Sequence, residues 1–311
     1  MKTNWNHSGR RHFLLPRQSG SVLLQSFILF SLLLTVSPAC LITSCREKDD
    51  ESIQNVSVQV DSSWFKLSMD VMCEAFDSLP RVRCADVLVY DADDIGSLES
   101  WKRYDYLPDS LVIRGAKKAK KAVVIVNSPR TFNRVAIDRY DSMGLLCCEF
   151  DEDSPETPLM SGTCQLLPET SGHISLTPLM SRVQLCEISN TMKGYARLED
   201  PRIFLENMNS AAEVMRGSGF RPSELLDDTR KKPLPFDIGI FSQKPMTELF
   251  CYPNESPEAT VGSPQTILVL ECEIYGNTCR FPVTLGEIGR NKTLHVNITV
   301  GGPELYDSKV Y

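Results

Sequence analysis

Apolar and polar positions alternate over short stretches along most of this chain. Asn55–Val60 (NVSVQV) switches residue by residue, the mark of a half-buried strand. Ala85–Asp91 (ADVLVYD) and Ala122–Asn127 (AVVIVN) are nearly unbroken apolar runs. Such runs suit inner strands covered on both faces. Further strands are predicted at Ser110–Ile113, Thr163–Leu167, His173–Leu176, Arg182–Ile188, Ile203–Leu205, Leu249–Tyr252, Gln265–Ile274, Cys279–Thr284 and Thr293–Val300. Leu98–Leu107, carrying Trp101, Tyr104 and Tyr106, reads as a strand pair or an aromatic loop. Val135, Ile137, Met143, Leu145 and Leu146 fit a short helix over Arg134–Cys147 only loosely. Asp151–Pro158 is acidic and proline-rich, hence loop, and Pro303–Tyr311 reads as a short tail.

Many short strands separated by turn signals predict an all-β chain with a β-sandwich in each half. The polar stretch Ser189–Lys193 is the candidate boundary between residues 55–190 and 191–311. No internal repeat with the period of a solenoid is present.

The start of the chain departs from this pattern. Arg10, Arg11 and Arg17 precede an apolar run from Val22 to Val36. A spanning helix needs about 20 apolar residues; this run is shorter, and Pro38 follows it. It has the form of an export signal over residues 1–44. Leu41-Ile42-Thr43-Ser44-Cys45 places small residues before a cysteine, the slim approach that a lipoprotein signal peptidase requires. Cys45 is the expected lipidation site; Cys40, two residues after Pro38, is a poorer one. Residues 45–54 then form a lipidated linker, with the charged run Lys48-Asp49-Asp50-Glu51. Acyl chains worth roughly 0.8 kcal/mol per buried CH2 anchor such a protein without a spanning helix.

A formal net charge of -7 argues against nucleic acid as a partner. The basic clusters Lys117–Lys121 and Arg230–Lys232 sit beside turn residues and read as solvated loops. Of 11 cysteines, nine lie beyond Cys45. An exported protein can form disulfides, and an odd count leaves a thiol free. Connectivity cannot be read from sequence; the best single choice is Cys272 with Cys279, which flank Tyr275-Gly276-Asn277 and could face each other across a hairpin. No CxxC spacing exists, and His173 and His295 are the only histidines beyond the signal, so neither metal nor cofactor is expected. GxSxG, HExxH and phosphate-loop motifs are absent, and no acid–base or nucleophile set emerges. The chain does not read as an enzyme.

Four blocks carry a resemblance. They are Asp86–Asp91; Ala122–Asn127; Pro158–Gly162 with Ile174–Val183; and Tyr252–Glu255 followed by Thr266–Glu273, Phe281–Val283, Arg290-Asn291 and Leu294–Gly302. In this order, behind the lipidation signal, they resemble the fimbrillin superfamily of Bacteroidales type V pili. The likeness is greatest to Mfa-like minor subunits and anchors. The acidic run after Cys45 is likewise similar to the surface-export tag of Bacteroidetes lipoproteins. The cysteine content and the interruption at Pro178 depart from the family pattern.

The resemblance implies two tandem transthyretin-like β-sandwich domains and a structural role. It implies a surface-exposed subunit at the cell outer membrane, tethered by lipid at Cys45. Its partners would be other fimbrial subunits, joined by β-strand addition; stalk pilins of the family lose their first strand to a protease that cuts at Arg or Lys, whereas anchors keep their lipid. The short tail favours an anchor or accessory subunit over a stalk pilin. A surface lipoprotein binding a glycan or host ligand is the alternative, favoured if Trp101, Tyr104 and Tyr106 are exposed.

Overall fold

The computed structural model describes residues 62–215, 224–227, 230–257 and 264–311. The signal, Cys45, the linker and the strand expected at Asn55–Val60 lie outside the described residues. The described chain is nearly all β.

The first layer pair uses β1 (Ser62–Val71), β2 (Ala85–Asp91), β3 (Leu98–Tyr104), β4 (Ser110–Ala116) and β5 (Lys120–Val126). Two short 3-10 turns, Arg134–Ile137 and Asp141–Leu145, follow, then β6 (Cys147–Glu149), β7 (Met160–Leu166) and β8 (Ser171–Pro178). The strand order is β3-β2-β5-β7-β8-β1-β4. β7 and β8 pair at Met160↔Pro178 and Ser161↔Thr177, and there the sheet folds over on itself. The inward residues of both arms meet in one core that includes Phe65, Leu67, Val87, Val124, Met160 and Ile174. This is a sandwich with β8-β1-β4 as one layer.

The second sandwich, with short strands flanking it, runs through β9 (Ser181–Asn190), β10 (Glu199–Glu206), β11 (Met208–Asn209), β12 (Ala211–Glu213), β13 (Leu225–Leu226), β14 (Lys232–Pro233), β15 (Thr247–Cys251), β16 (Ile267–Ile274), β17 (Asn277–Thr284), β18 (Thr293–Gly302) and β19 (Leu305–Val310). Sheets β14-β10-β16-β17 and β15-β9-β18-β19 enclose its core, with Leu185, Ile203, Leu270, Phe281 and Val296 fully buried. A third cluster lies on the outer face of β2 and β5, where Leu88, Tyr90, Val123 and Ile125 meet Met143, Val214 and Tyr252. β12 pairs with β6 beside it.

Three local expectations change. The helix foreseen over Arg134–Cys147 is two 3-10 turns, because its buried residues, Ile137 and Met143, are six positions apart and cannot share a helical face. Ser62–Val71 is a full strand that the sequence reading passed over. Pro303–Tyr311 is no loose tail: Leu305–Val310 is an edge strand paired antiparallel with β18.

Candidate functional site

β1 is the middle strand of its layer. It runs parallel to β8, from Lys66↔Ser171 to Val71↔Leu176, and antiparallel to β4, from Ser62↔Ala116 to Ser68↔Ser110. A parallel neighbour is remote in sequence, so nothing local holds β1 in place. Alternate residues point inward, and Ser63, Phe65, Leu67 and Met69 are all buried. Each large apolar side chain contributes roughly 1.5–3 kcal/mol by leaving water. Without β1, β8 and β4 would be separated by a slot floored by the core, with pockets at alternate positions.

On the solvent face, His173 Nδ1 lies 3.0 Å from Ser68 Oγ, and His173 Nε2 lies 3.1 Å from Asp70 Oδ1. Ser68 Oγ also donates to the Gly172 carbonyl at 3.1 Å. The β1–β8 register supplies both partners of His173. Imidazole and carboxylate side chains are 55% and 51% exposed, so water competes for both. The set ties β1 to β8.

The segment after β1 is held by the second sandwich. The Asn291 side chain accepts from the Glu74 and Ala75 N–H groups at 3.0 and 3.2 Å, and donates to the Met72 carbonyl at 2.9 Å. Lys292 pairs with Glu74 at 2.5 Å, and Arg182 pairs with Asp77 at 2.7 Å and Glu248 at 2.8 Å. Phe76 stacks on Phe250 with ring centroids 5.2 Å apart. Beyond this clamp, Arg81 and Arg83 are exposed. Asn127, with φ 59°, receives the Arg83 N–H at 2.7 Å and donates to the Arg81 and Pro158 carbonyls at 2.9 and 3.1 Å. The asparagine that ends the valine-rich run is therefore a backbone clasp.

Arg290 stitches the two sandwiches together. Its guanidinium donates to the Pro178 carbonyl at 2.9 Å, to Ser161 Oγ at 3.0 Å and to the Val214 carbonyl at 3.3 Å. It also bonds the Thr177 carbonyl. Nearby, Asp153 accepts the Leu159 N–H at 2.8 Å and the Tyr252 hydroxyl at 3.1 Å. Burial pushes the Asp153 carboxyl up to about 6 against the pull of these donors. Burial pushes the Tyr252 phenol up as well.

A groove of about 590 Å³ opens beside Asp153, lined by Phe150, Met180, Lys232, Glu248 and Phe250 among others. Arg230–Lys232, expected to be a solvated loop, borders it. Lys231 pairs with Glu271 at 2.6 Å, and Lys232 Nζ donates to the Glu248 carbonyl at 2.9 Å.

Cys272 and Cys279 are directly opposite in the β16–β17 register, and both are buried. Both stand as thiols here. Ile274↔Asn277 closes the two-residue turn and Cys272↔Cys279 lies two pairs farther on, which makes it a hydrogen-bonded position. Such positions have Cα atoms about 5.5 Å apart, inside the disulfide range. Of the aromatic residues weighed for ligand binding, Trp101 packs against Phe132 and donates its indole N–H to Asp86 at 2.9 Å. Tyr104 is half-buried beside the first core, and Tyr106 is exposed. Among the described residues no group of three or more His, Cys, Asp or Glu is placed to hold a metal ion.

Comparison of the fold with solved structures finds close counterparts. A candidate cell adhesion protein from Bacteroides eggerthii superposes with a TM-score of 0.61 at 14% identity, covering 80% of this chain and 95% of that one. The tip fimbrial protein Mfa3 from Porphyromonas gingivalis, truncated at its C-terminus, gives 0.56 at 11% identity, covering 80% and 98%. A fimbrial assembly protein from Parabacteroides distasonis gives 0.50 at 12% identity, covering 80% and 96%. No family model matches the sequence, and no curated protein matches it. The fold is the one these fimbrial and candidate adhesion proteins share, as the sequence resemblance implied.

Proposed function

We propose that this chain is a structural subunit of surface fimbriae, an anchor or accessory subunit tethered to the outer membrane by lipid at Cys45. It joins other subunits by strand addition in the layer that β1 occupies. The observation that carries this reading is the setting of β1. It is the first strand of the described residues and the middle strand of its layer, parallel to β8, with Phe65, Leu67 and Met69 buried on its inner face. An extended segment of another subunit could take that place through main-chain hydrogen bonds and alternate-side-chain pockets. In a tethered subunit β1 would be displaced without cleavage, because a cut at Arg81 or Arg83, exposed after β1, would release the lipid at Cys45 along with the strand. The shared fold supports the same reading, as does the chain's want of catalytic motifs.

On this reading the two domains divide at the turn between β8 and β9, near residues 178–181, rather than at residue 190. The support is that β9 pairs with β15 and β18 of the second sandwich. Export also places Cys272 and Cys279 where a disulfide can join them.

Cell fractionation tests the proposal. The protein should co-purify with sheared fimbriae, and Cys45→Ala should release it from the membrane. Alkylation of the denatured protein without reductant should leave Cys272 and Cys279 unlabelled as a pair. A deletion strain with fibres of normal length and attachment would remove the anchor role.

A further inference from the structure

Four of the nine described cysteines are not buried: Cys147 is exposed, and Cys73, Cys164 and Cys186 are half-buried. Exposure alone ranks Cys147 first as a reactive thiol. Chemistry ranks them differently. Glu149 and Glu213 stand beside Cys147 and disfavour its thiolate. Cys73 and Cys164 have burial against them and no stabilising donor.

Cys186 is built otherwise. The β9–β18 register passes from Val296↔Leu185 to Asn297↔Glu187, so Cys186 is the extra residue of a β-bulge. Bulges re-aim a side chain, and this one sets Cys186 Sγ 3.3 Å from His295 Nδ1. The thiol also faces the Gln184 carbonyl and side-chain oxygen at 3.6 and 3.8 Å, and the Arg182 charge is near. The Tyr311 ring lies against the imidazole, centroids 5.5 Å apart, and fixes its orientation. Burial opposes ionisation of this thiol as it does the others. A base in contact removes the proton during reaction and does not require a standing thiolate.

We propose that Cys186 is the chain's site of thiol–disulfide exchange, with His295 as the base. The Cys186 S–H proton passes to His295 Nδ1, which requires the tautomer protonated at Nε2. The sulfur attacks one sulfur of a small disulfide. The S–S bond of that disulfide breaks, a new one forms to Cys186, and the displaced thiolate leaves. The product is a mixed disulfide on the outer face of the sheet, beside edge strand β19.

The test uses dithiobis-nitrobenzoate as the disulfide and the purified full chain, with release of thionitrobenzoate timed and the labelled peptide mapped. Cys186 should be labelled first, about tenfold or more ahead of Cys147, as general-base assistance warrants. His295→Gln should slow Cys186 by at least about tenfold and leave the Cys147 rate unchanged. That unchanged rate serves as the check on folding. Labelling of Cys147 ahead of Cys186, or equal Cys186 rates with and without the imidazole, overturns the proposal. The pH profile of the unsubstituted protein decides independently of any variant. A base-assisted Cys186 reacts at a rate that stays flat as pH falls below the thiol's own pKa, whereas an unassisted thiol loses about tenfold per pH unit there.

Discussion

At the scale of single residues, Asp153 shows most plainly how placement overrides type. Its carboxyl accepts the Ser154 and Leu159 N–H groups at 2.9 and 2.8 Å, which would ordinarily lower its pKa. Burial outweighs them and raises it to about 6. The folded state therefore binds the Asp153 proton more tightly than the unfolded chain, whose carboxyl titrates near about 3.9. The contribution to stability is complete below about pH 4 and is lost as pH rises through about 6. Asp153→Asn keeps an acceptor for the two N–H groups and removes the titration. Relative to Asp153→Asn, the parent should lose about 2 kcal/mol of stability between pH 4 and pH 7, measured by urea unfolding at several pH values. A constant difference between the two proteins across that range would show that the carboxyl stays charged at no cost.

At the scale of elements, the strands that were legible in sequence are those with one unambiguous environment. Ala85–Asp91 is buried along almost its whole length, and its strand limits match the apolar run. β1 is harder to read. Its buried Phe65, Leu67 and Met69 alternate cleanly, but Trp64 faces water at 46% exposure and blurs the pattern. β19 reads as a tail because an edge strand buries little: Leu305, Asp307, Ser308 and Lys309 are all exposed. The β16–β17 hairpin was legible from Gly276, and its turn carries a testable strain. Tyr275 and Gly276 have φ of 53° and 75°, as a type I′ turn requires. Glycine bears this freely; tyrosine does not. Tyr275 is 70% exposed, so replacing it removes little packing. Tyr275→Asn should stabilise the protein by about 0.5–1 kcal/mol, seen as a thermal midpoint raised by roughly 1–4 °C. An unchanged or lower midpoint would mean that the tyrosine ring contributes more than the backbone strain costs.

At the scale of the whole molecule, the proposed strand addition turns on how firmly β1 and its following segment are seated. This was the least legible part of the sequence, because its partners are far apart along the chain. Asn291 meets Glu74 across 217 residues, and no local pattern can announce such a contact. The Arg290-Asn291 pair was visible only as part of a resemblance; its physical work is to bind the first sandwich to the second. Asn291 itself sits at φ 57°, so alanine would confound lost hydrogen bonds with backbone strain. Asn291→Gly removes the side chain and keeps the backbone free to adopt that angle. It deletes three hydrogen bonds to Met72, Glu74 and Ala75, each worth about 1 kcal/mol net. If these bonds hold the segment shut, local opening should become roughly 10- to 100-fold more frequent. Native-state digestion with trypsin reads this directly, since Arg81 and Arg83 stand just beyond the clamp. Cleavage after either arginine should rise by that factor, while unfolding in urea shifts far less. Cleavage that rises only in step with global unfolding would place the barrier in the β1–β8 and β1–β4 ladders or in the Asn127 clasp on Arg81 and Arg83, not in the clamp from the second sandwich.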